Sequence, residues 1–464
     1  MKTALSGSSE RRRTVESALA PFVRHPLRRV PPPEGRLGPT DFPIQRLRET
    51  LAALGPVFAS FGRYLSARPD LLPRRDCAEL SLIPDTGLAA PPAALEAHLY
   101  RQLGAPSARR FIQFHPLACD VTLWTERHDA SVAPGVPAIV TVVRPDAAEW
   151  LDSDLPLLSL LQMPFGLEPI PCADAVDDFT RTLRARLDQT AVAAHLTMLA
   201  THAEPGGFAA PTCYRDHSAP GVLTLDRWDA DTIADIAARA AAPRPERAEL
   251  ARRLAAAWLR QALSARLLPF DFAAREIVAD GDRLLLTGGA CDPLGSIERE
   301  RFTQYVDAVA ADDPEAAAAW LLDSKRSAAS DSPLEEELRR RFRQAVPFRD
   351  GEWSGDERFA ENVVVQWRVA REAGWRVTPH QLHAYRGLLQ IAAIVQTLVP
   401  DEDILLSVLQ EVRLRRGISD AATVFDPGAM GARLDTALRE MVTLPQRLDQ
   451  VLTLAAEGRL RVKL

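Results

Sequence analysis

Lysine is almost missing from this chain: of its 56 basic residues only Lys2, Lys325 and Lys463 are lysines, and the rest are arginines. Between positions 2 and 325, therefore, no side chain can form a Schiff base, act as an amine base or hold a phosphate with a compact ammonium. A guanidinium is planar and permanently protonated and does not replace one. Asparagine is scarcer still, with Asn362 alone. The five cysteines (Cys77, Cys119, Cys172, Cys213, Cys291) form no CxxC pair, which signals neither a zinc site nor a disulfide framework and suits a reducing compartment. The longest apolar run, "GLLQIAAIVQTLVP" (387–400), carries Gln390 and Gln396 and falls short of the ~20 residues that span a bilayer, so it reads as a buried helix. The formal net charge of −6 gives no general reason to expect nucleic acid.

What is present suits a folded protein with a real core: 47% hydrophobic and 25% charged residues over 464 positions, enough for two or three domains or one large bilobal one. Residues 1–40 are basic and proline-rich without a hydrophobic signal core, which excludes a secretory signal. Their Arg and Ser content is compatible with an organellar transit peptide, but the expectation is a disordered basic tail, with at most peripheral contact to anionic lipid.

Helical spacing begins in 41–66, where Leu47, Leu51, Leu54 and Phe58 recur every three or four positions, and Arg68-Pro69 stops the run. Residues 91–104 read as a second helix closed by Gly104. The period then changes. Residues 109–128 and 137–145 read as strands around the turn-prone "DASVAPGV". A long helix over 177–203, a strand over 221–229, a helix over 244–267 and a hairpin over 275–289 around Asp280-Gly281 follow. From about residue 296 nearly everything is helical, with Thr378-Pro379 opening one helix, until "EGRLRVKL" suggests a last strand. The order predicts an α+β fold: a helical extension (41–105), a first lobe with a small sheet (106–230) and a large helical half (231–464). His380 and His383 lack an accompanying ligand cluster and read as surface or capping histidines rather than a metal site.

One stretch is specific. "LGPVFASFGRYLSARPDLLP" (54–73) closely resembles the signature of the UbiB/AarF family of atypical kinases, approximately LGPTFIKLGQLLSTRPDLLP, with Gly62, Ser66, Arg68, Pro69 and Asp70 among the matching positions. Further segments follow in the family's order. "FHPLACDVTLW" falls at its alanine-rich nucleotide loop, "PAIVTVVRP" at its VAVKVQRP strand, and "RARLDQTAVAAH" at its ELDYxxEAxN helix, keeping Leu187 and Asp188. The resemblance spans about residues 45–464 and implies a bilobal protein-kinase-like fold, in which Arg68 and Asp70 pair to hold the extension against the kinase lobe.

The resemblance fails where the chemistry would be. Phosphoryl transfer needs a lysine on the α/β-phosphates, a carboxylate fixing that lysine, and Asp and Asn ligands for Mg²⁺. The strand lysine corresponds to Thr141 and its helix glutamate to Val192. The lysine and glutamine of the KxGQ helix correspond to Ser60 and Arg63. The catalytic HADPHPGN loop aligns with "LPFDFAAR" (268–275), placing its aspartate at Phe270 and its asparagine at Arg275. The DFG motif becomes Thr287-Gly288-Gly289. Asp271, one residue from the catalytic position, is the sole candidate base.

The expectation is thus a catalytically degenerate, pseudokinase-like member that needs no cofactor or metal. It would bind, scaffold or regulate in isoprenoid-quinone or related lipid or secondary-metabolite biosynthesis. Its expected partners are an intact homologue or a biosynthetic enzyme, with a lipid or isoprenoid as possible ligand, in the cytoplasm or at the membrane periphery. The alternative is an atypical kinase or ATPase holding Mg-ATP in a remodelled site through Asp120, Asp271 or Asp292. A purely structural role without any ligand is the third reading.

Overall fold

Val15, Leu19 and Phe22 fall on one face of a helix at spacings of four and three, and that face is buried. In the computed structural model, which describes residues 2–24, 43–167, 169–201, 206–239, 243–264, 267–311, 313–322, 333–345, 359–373 and 377–412, this helix is α1 (Lys2–Arg24). It differs from the expected disordered tail over the first half of 1–40; residues 25–42 lie outside the described set. The arginines that suggest a loose basic segment serve the fold instead: Arg11 forms an ion pair with buried Asp154 at 2.7 Å and caps the Leu54 carbonyl. The elements below belong to the unit Met1–Val408, and residues 409–464 form a second unit.

The extension continues as α2 (Pro43–Leu54), α3 (Pro56–Ser66), α4 (Arg74–Ser81), α5 (Pro92–Leu103) and α6 (Ser107–Arg110). Leu47, Leu51, Leu54 and Phe58 join α1 in one apolar cluster that also takes in Leu158, Leu161 and Phe179. The chain leaves α3 through Arg68-Pro69, as the restricted backbone before proline requires.

The first lobe is built on a five-stranded antiparallel sheet of β1 (Gln113–Phe114), β2 (Asp120–Val121), β3 (Thr125–Ala133), β4 (Val136–Val143) and β5 (Val222–Asp226). Its order is β1-β3-β4-β5, with β2 also pairing to β3. The β3–β4 hairpin turns at Pro134-Gly135, later than the expected turn over 129–136. The inward residues of β3 are Glu126, His128 and Ala130, and two polar side chains on the buried face hide the strand's period. Between β4 and β5 come α7 (Ala147–Asp154), α8 (Gln162–Phe165), α9 (Pro169–Leu187) and α10 (Gln189–Thr201). The single long helix expected over 177–203 is therefore two. Asp188 breaks it, because its carboxylate accepts from the amides of Thr190 and Ala191 and so caps α10.

The second lobe begins with α11 (Ile233–Ala238) and α12 (Arg244–Ser264), then β6 (Leu267–Asp271), β7 (Ile277–Asp280), β8 (Arg283–Leu286) and β9 (Ala290–Pro293). β7 and β8 form the expected hairpin. β6 and β9 pair around it, an arrangement concealed in the sequence by their shortness and by Pro269. Helices α13 (Ser296–Ala310), α14 (Pro314–Leu322), α15 (Pro333–Ala345), α16 (Phe359–Glu372) and α17 (Pro379–Leu398) complete the described unit, with Thr378 capping α17 as the sequence suggests. The suggested strand at "EGRLRVKL" lies outside the described residues. Among the described residues no helix is long and apolar enough to cross a membrane.

α17 packs directly on β6 and α12 through Gly387. A Cβ there would lie 2.7 Å from the Trp258 ring and 2.8 Å from the Pro269 carbonyl oxygen, neither of which can swing away. At Gly62 the nearest atom, 2.5 Å away, is the flexible tip of Ile83. Helix propensity favours alanine over glycine by about 1 kcal/mol at both positions. Gly387→Ala is therefore expected to cost about 1–3 kcal/mol net of that gain, and Gly62→Ala less. Urea denaturation of the two variants compares them directly, and equal losses would count against this packing.

Candidate functional site

The proline-punctuated signature at the end of α3 is the outer end of a buried chain of charges. Arg68 donates to both oxygens of Asp70, at 2.9 and 3.0 Å, and both side chains are buried. Arg68 also donates to the Tyr64 hydroxyl and lies over the Trp367 ring, 4.7 Å from its centroid, while Arg368 donates to the Pro69 carbonyl. The Tyr64 hydroxyl in turn donates to Asp178 on α9 at 2.9 Å. Asp178 accepts from Arg386 of α17 at 3.1 Å, and the other arm of Arg386 reaches Asp271 at 2.9 Å. Asp271 is shared with Arg186 at 3.1 Å, and Arg186 continues to Glu276 at 2.8 Å. One continuous polar path thus runs from the signature to the loop after β6.

Burial alone would raise the carboxyl of Asp178, but the close approach of the His383 imidazole and the charges of Arg386 and Arg68 hold it well below the usual range. At Asp271 burial is likewise outweighed, by Arg186 and Arg386, and the group is held ionised. A branch of the path leads through His383. Its Nδ1 donates to Asp292 at 2.8 Å, its Nε2 faces the orphaned Oδ1 of Asp178 at 3.6 Å, and Phe270 stacks on its ring at 3.8 Å. Burial lowers the imidazole, yet the hydrogen bonds and charges of Asp178 and Asp292 prevail and raise it. His380 donates to the same Asp292 oxygen at 2.7 Å. The two histidines are therefore not plain surface or capping groups. Their i, i+3 spacing on one face of α17 was visible in the sequence, but their carboxylate, 88 and 91 residues earlier, was not.

Beside this path lies a cleft between the sheet and the β6–β9 region. Thr141, in the middle of β4, pairs with Arg127 on one side and Leu223 on the other, and all three line the cleft. Val192 of α10 and the Thr287-Gly288-Gly289 turn after β8 close it. Gly289 takes φ +101°, and a Cβ there would meet the Asp271 carbonyl oxygen at 2.8 Å, so the close turn needs glycine. Arg275 forms an ion pair with Asp85, and Arg63, after donating to the Ile83 carbonyl, stands 3.9 Å from the same carboxylate. Ser60 accepts from the Trp124 indole at 2.7 Å. Trp124 and Trp150 pack edge to face, as core aromatics, and Arg127 lies over the Trp228 ring. The remaining cavity is about 80 Å³, whereas ligand pockets run to roughly 300–1,000 Å³.

Comparison with known proteins gives this architecture a family. The family model described as the ABC1 atypical kinase-like domain matches residues 85–320, just over half of the chain. The chain belongs to that family. It is 30% identical over 199 residues to a probable protein kinase UbiB of Pseudomonas paraeruginosa, an alignment covering 41% of this chain and 37% of that protein. To the protein of the same name in Azotobacter vinelandii it is 31% identical over 201 residues, covering 42% and 37%. The matched segment thus spans little more than a third of the length of these curated relatives. Among solved structures, a complex of Rv3197 with erythromycin from Mycobacterium tuberculosis matches with a TM-score of 0.41 and 17% identity, over 75% of this chain and 88% of that one.

Within this ABC1-family fold, Thr141, Val192 and Thr287-Gly288-Gly289 do come together around one cleft, and Arg275 joins them. The residues present do not fit Mg-ATP. The two carboxylates that line the cleft, Asp85 and Glu276, are taken up by Arg275 and Arg186. Asp120 lies 3.7 Å from Arg127, Asp271 is held by two guanidiniums, and Asp292 by two imidazoles. Among the described residues no group of three or more His, Cys, Asp or Glu side chains is arranged to hold a metal ion. Arg186, which stands just before the retained Leu187 and Asp188, is the residue that sequence reasoning missed. Nothing in its local sequence announces that it reaches Asp271 and Glu276.

Removing Arg386 takes a guanidinium from two carboxylates, and among the described residues it is the one ion-pair partner within hydrogen-bond distance of buried Asp178. Arg386→Ala is expected to cost about 3–5 kcal/mol, read by chemical denaturation; a loss below about 1 kcal/mol would show that the charges are not coupled as described. His383 sets a pH dependence. Its folded pKa is raised above 6.5, so its contribution is fully present below that value and fades as pH rises through the higher folded one. Asp178 and Asp292 are lowered below 3.8, and their contribution fades as pH falls towards their folded values. The stability gap between the natural protein and His383→Gln should therefore be widest between about pH 4 and 6.5 and narrow above it. A gap that widened with rising pH would contradict a protonated His383.

Proposed function

We propose that this chain is a catalytically degenerate member of the ABC1 family, acting by binding and organising rather than by transferring phosphate. The observation that carries the reading is the cleft itself. Threonine and valine stand at the lysine and glutamate positions, and arginine–carboxylate pairs occupy the space and the charges that a metal-bound nucleotide would use. Phosphoryl transfer depends almost wholly on placed charge, and losing one such donor costs about 2.7–4 kcal/mol of transition-state stabilisation. Here several are replaced together, and no lysine in this half of the chain can move in.

Asp271 does not restore a base. A group pinned by two guanidiniums and held ionised has little capacity to take a proton from a substrate hydroxyl. The names of the relatives support a role near ubiquinone or related lipid biosynthesis. There the chain would scaffold or regulate an intact homologue or a biosynthetic enzyme, reaching the membrane at its periphery through that partner. An isoprenoid or other lipid is the ligand class that this setting favours.

A thermal-shift titration with ATP and ADP, with and without Mg²⁺ or Mn²⁺, tests the reading. Occupancy at one hundred times a dissociation constant stabilises a fold by about 2.7 kcal/mol, an easily read change in Tm. The expected result is no metal-dependent shift up to millimolar nucleotide. A clear one would overturn the reading in favour of a remodelled kinase or ATPase.

A further inference from the structure

The cleft is filled with guanidinium groups, and their charges are not evenly matched. Arg63 and Arg275 lean on one carboxylate, Asp85. Burial, together with a neighbouring guanidinium in each case (Arg186 beside Arg63, Arg63 beside Arg275), presses both below the usual arginine range. Arg127 lines the same cavity from β3 with only 14% of its side chain exposed; it lies over the Trp228 ring, and its ion pair with Asp120, at 3.7 Å, carries no hydrogen bond. Arg186 is fully engaged by Asp271 and Glu276, so it contributes structure rather than a free arm. Thr141 supplies a hydroxyl on the cleft wall. The site is short of negative charge on its Arg63–Arg127–Arg275 side.

Size narrows what could supply it. About 80 Å³ admits a group the size of one tetrahedral oxyanion and falls short of the roughly 300 Å³ at which ordinary ligand pockets begin. Arginine binds phosphate through two parallel N–H donors and needs no divalent ion to do so. We propose that the cleft holds one phosphate group of a phosphorylated ligand without a metal, on Arg127 and Arg275, with the rest of the ligand outside the cavity. The proposal rests on the reading above that the cleft does not handle Mg-nucleotide, and goes beyond it by naming what the cleft takes instead.

The test is calorimetric titration of the full chain with inorganic phosphate in excess EDTA, against chloride at matched ionic strength. The expected result is saturable one-to-one binding that survives the chelator. Arg127→Gln and Arg275→Gln should each weaken it at least about tenfold. Asp85→Asn, which releases Arg275 and Arg63 from their shared partner, should lower Tm yet tighten phosphate binding several-fold. Misfolding cannot produce that pair of opposite signs. A parallel titration with geranyl monophosphate separates the sources: tighter binding than inorganic phosphate assigns the group to a lipid, and equal binding assigns it to free phosphate. Three results would overturn the proposal: no binding of either phosphate at about 10 mM, binding that requires Mg²⁺, or binding unchanged in both arginine variants, which would mean an adventitious ion only. Failure in EDTA leaves the degenerate-kinase reading standing, whereas metal-dependent ATP binding overturns that reading.

Discussion

Asp178 is the point on which the arrangement turns. It is a buried carboxylate that receives Tyr64 from the extension, Arg386 from the last described long helix and the close approach of His383, while itself sitting on the helix that leads to the cleft. Desolvating such a group is expensive, and its pairing only about repays the cost, so the network need not raise net stability much. Its effect is positional. Another seating of the extension on the lobes would keep the Arg68–Asp70 and Arg386–Asp178 pairs but would break the Tyr64 bond to Asp178 and the Arg368 bond to the Pro69 carbonyl, and a buried polar group left unsatisfied costs about 1–3 kcal/mol. This is why the apolar helix α3 needs so stiff an ending. The Arg-Pro-Asp turn aims Arg68 back at Tyr64 and Asp70, and Pro69 leaves its carbonyl for Arg368.

The same path fixes the shape of the kinase-like cleft through side chains of this chain alone. The network reaches the loop after β6 through Arg386 and Asp271, and Arg186 extends it to Glu276, whose other oxygen accepts from the Ala273 amide. Loop, strand and helix are joined by fixed cations of this chain. Because arginine stays protonated at any ordinary pH, these ties do not switch off. They also leave little slack for a loop that must move a proton or a metal.

Much of the fold was readable from periodicity and punctuation: the helical run that forms α2 and α3, helix α5, the β7–β8 hairpin at Asp280-Gly281 and the Thr378 cap all depend on local signals. What the sequence concealed was non-local. The β6–β9 pair is too short to show a period, β3 buries Glu126 and His128 where alternation would demand apolar residues, and Asp188 caps a helix instead of continuing one. At the site, the substitutions at Thr141, Val192 and Arg275 were legible because the motif around them is specific. The partners were not: Arg186 with Glu276 is a relation across 90 residues, and Arg386 with Asp178 across 208. Helix α1 was missed because its arginines and prolines outweighed three well-spaced apolar residues.

On the proposed reading, the substitutions at the lysine and glutamate positions and the internal arginine–carboxylate pairing are two aspects of one change. A kinase cleft that binds metal and nucleotide keeps its Asp and Asn ligands free for Mg²⁺ and its lysine placed for the phosphates. Here Asp85, Asp120, Asp271 and Glu276 each have a cation of this chain within 4 Å. The arrangement is therefore settled without Mg-nucleotide, and a metal ion entering it would first have to displace a guanidinium. Sites held in a strained, ligand-dependent state give up stability for function. This cleft has moved the other way, and the charge it leaves unmatched, on the side of Arg63 and Arg275, is positive. On the proposed reading, a cleft with that balance would favour an anion over a metal ion, the reverse of the electrostatics on which phosphoryl transfer depends.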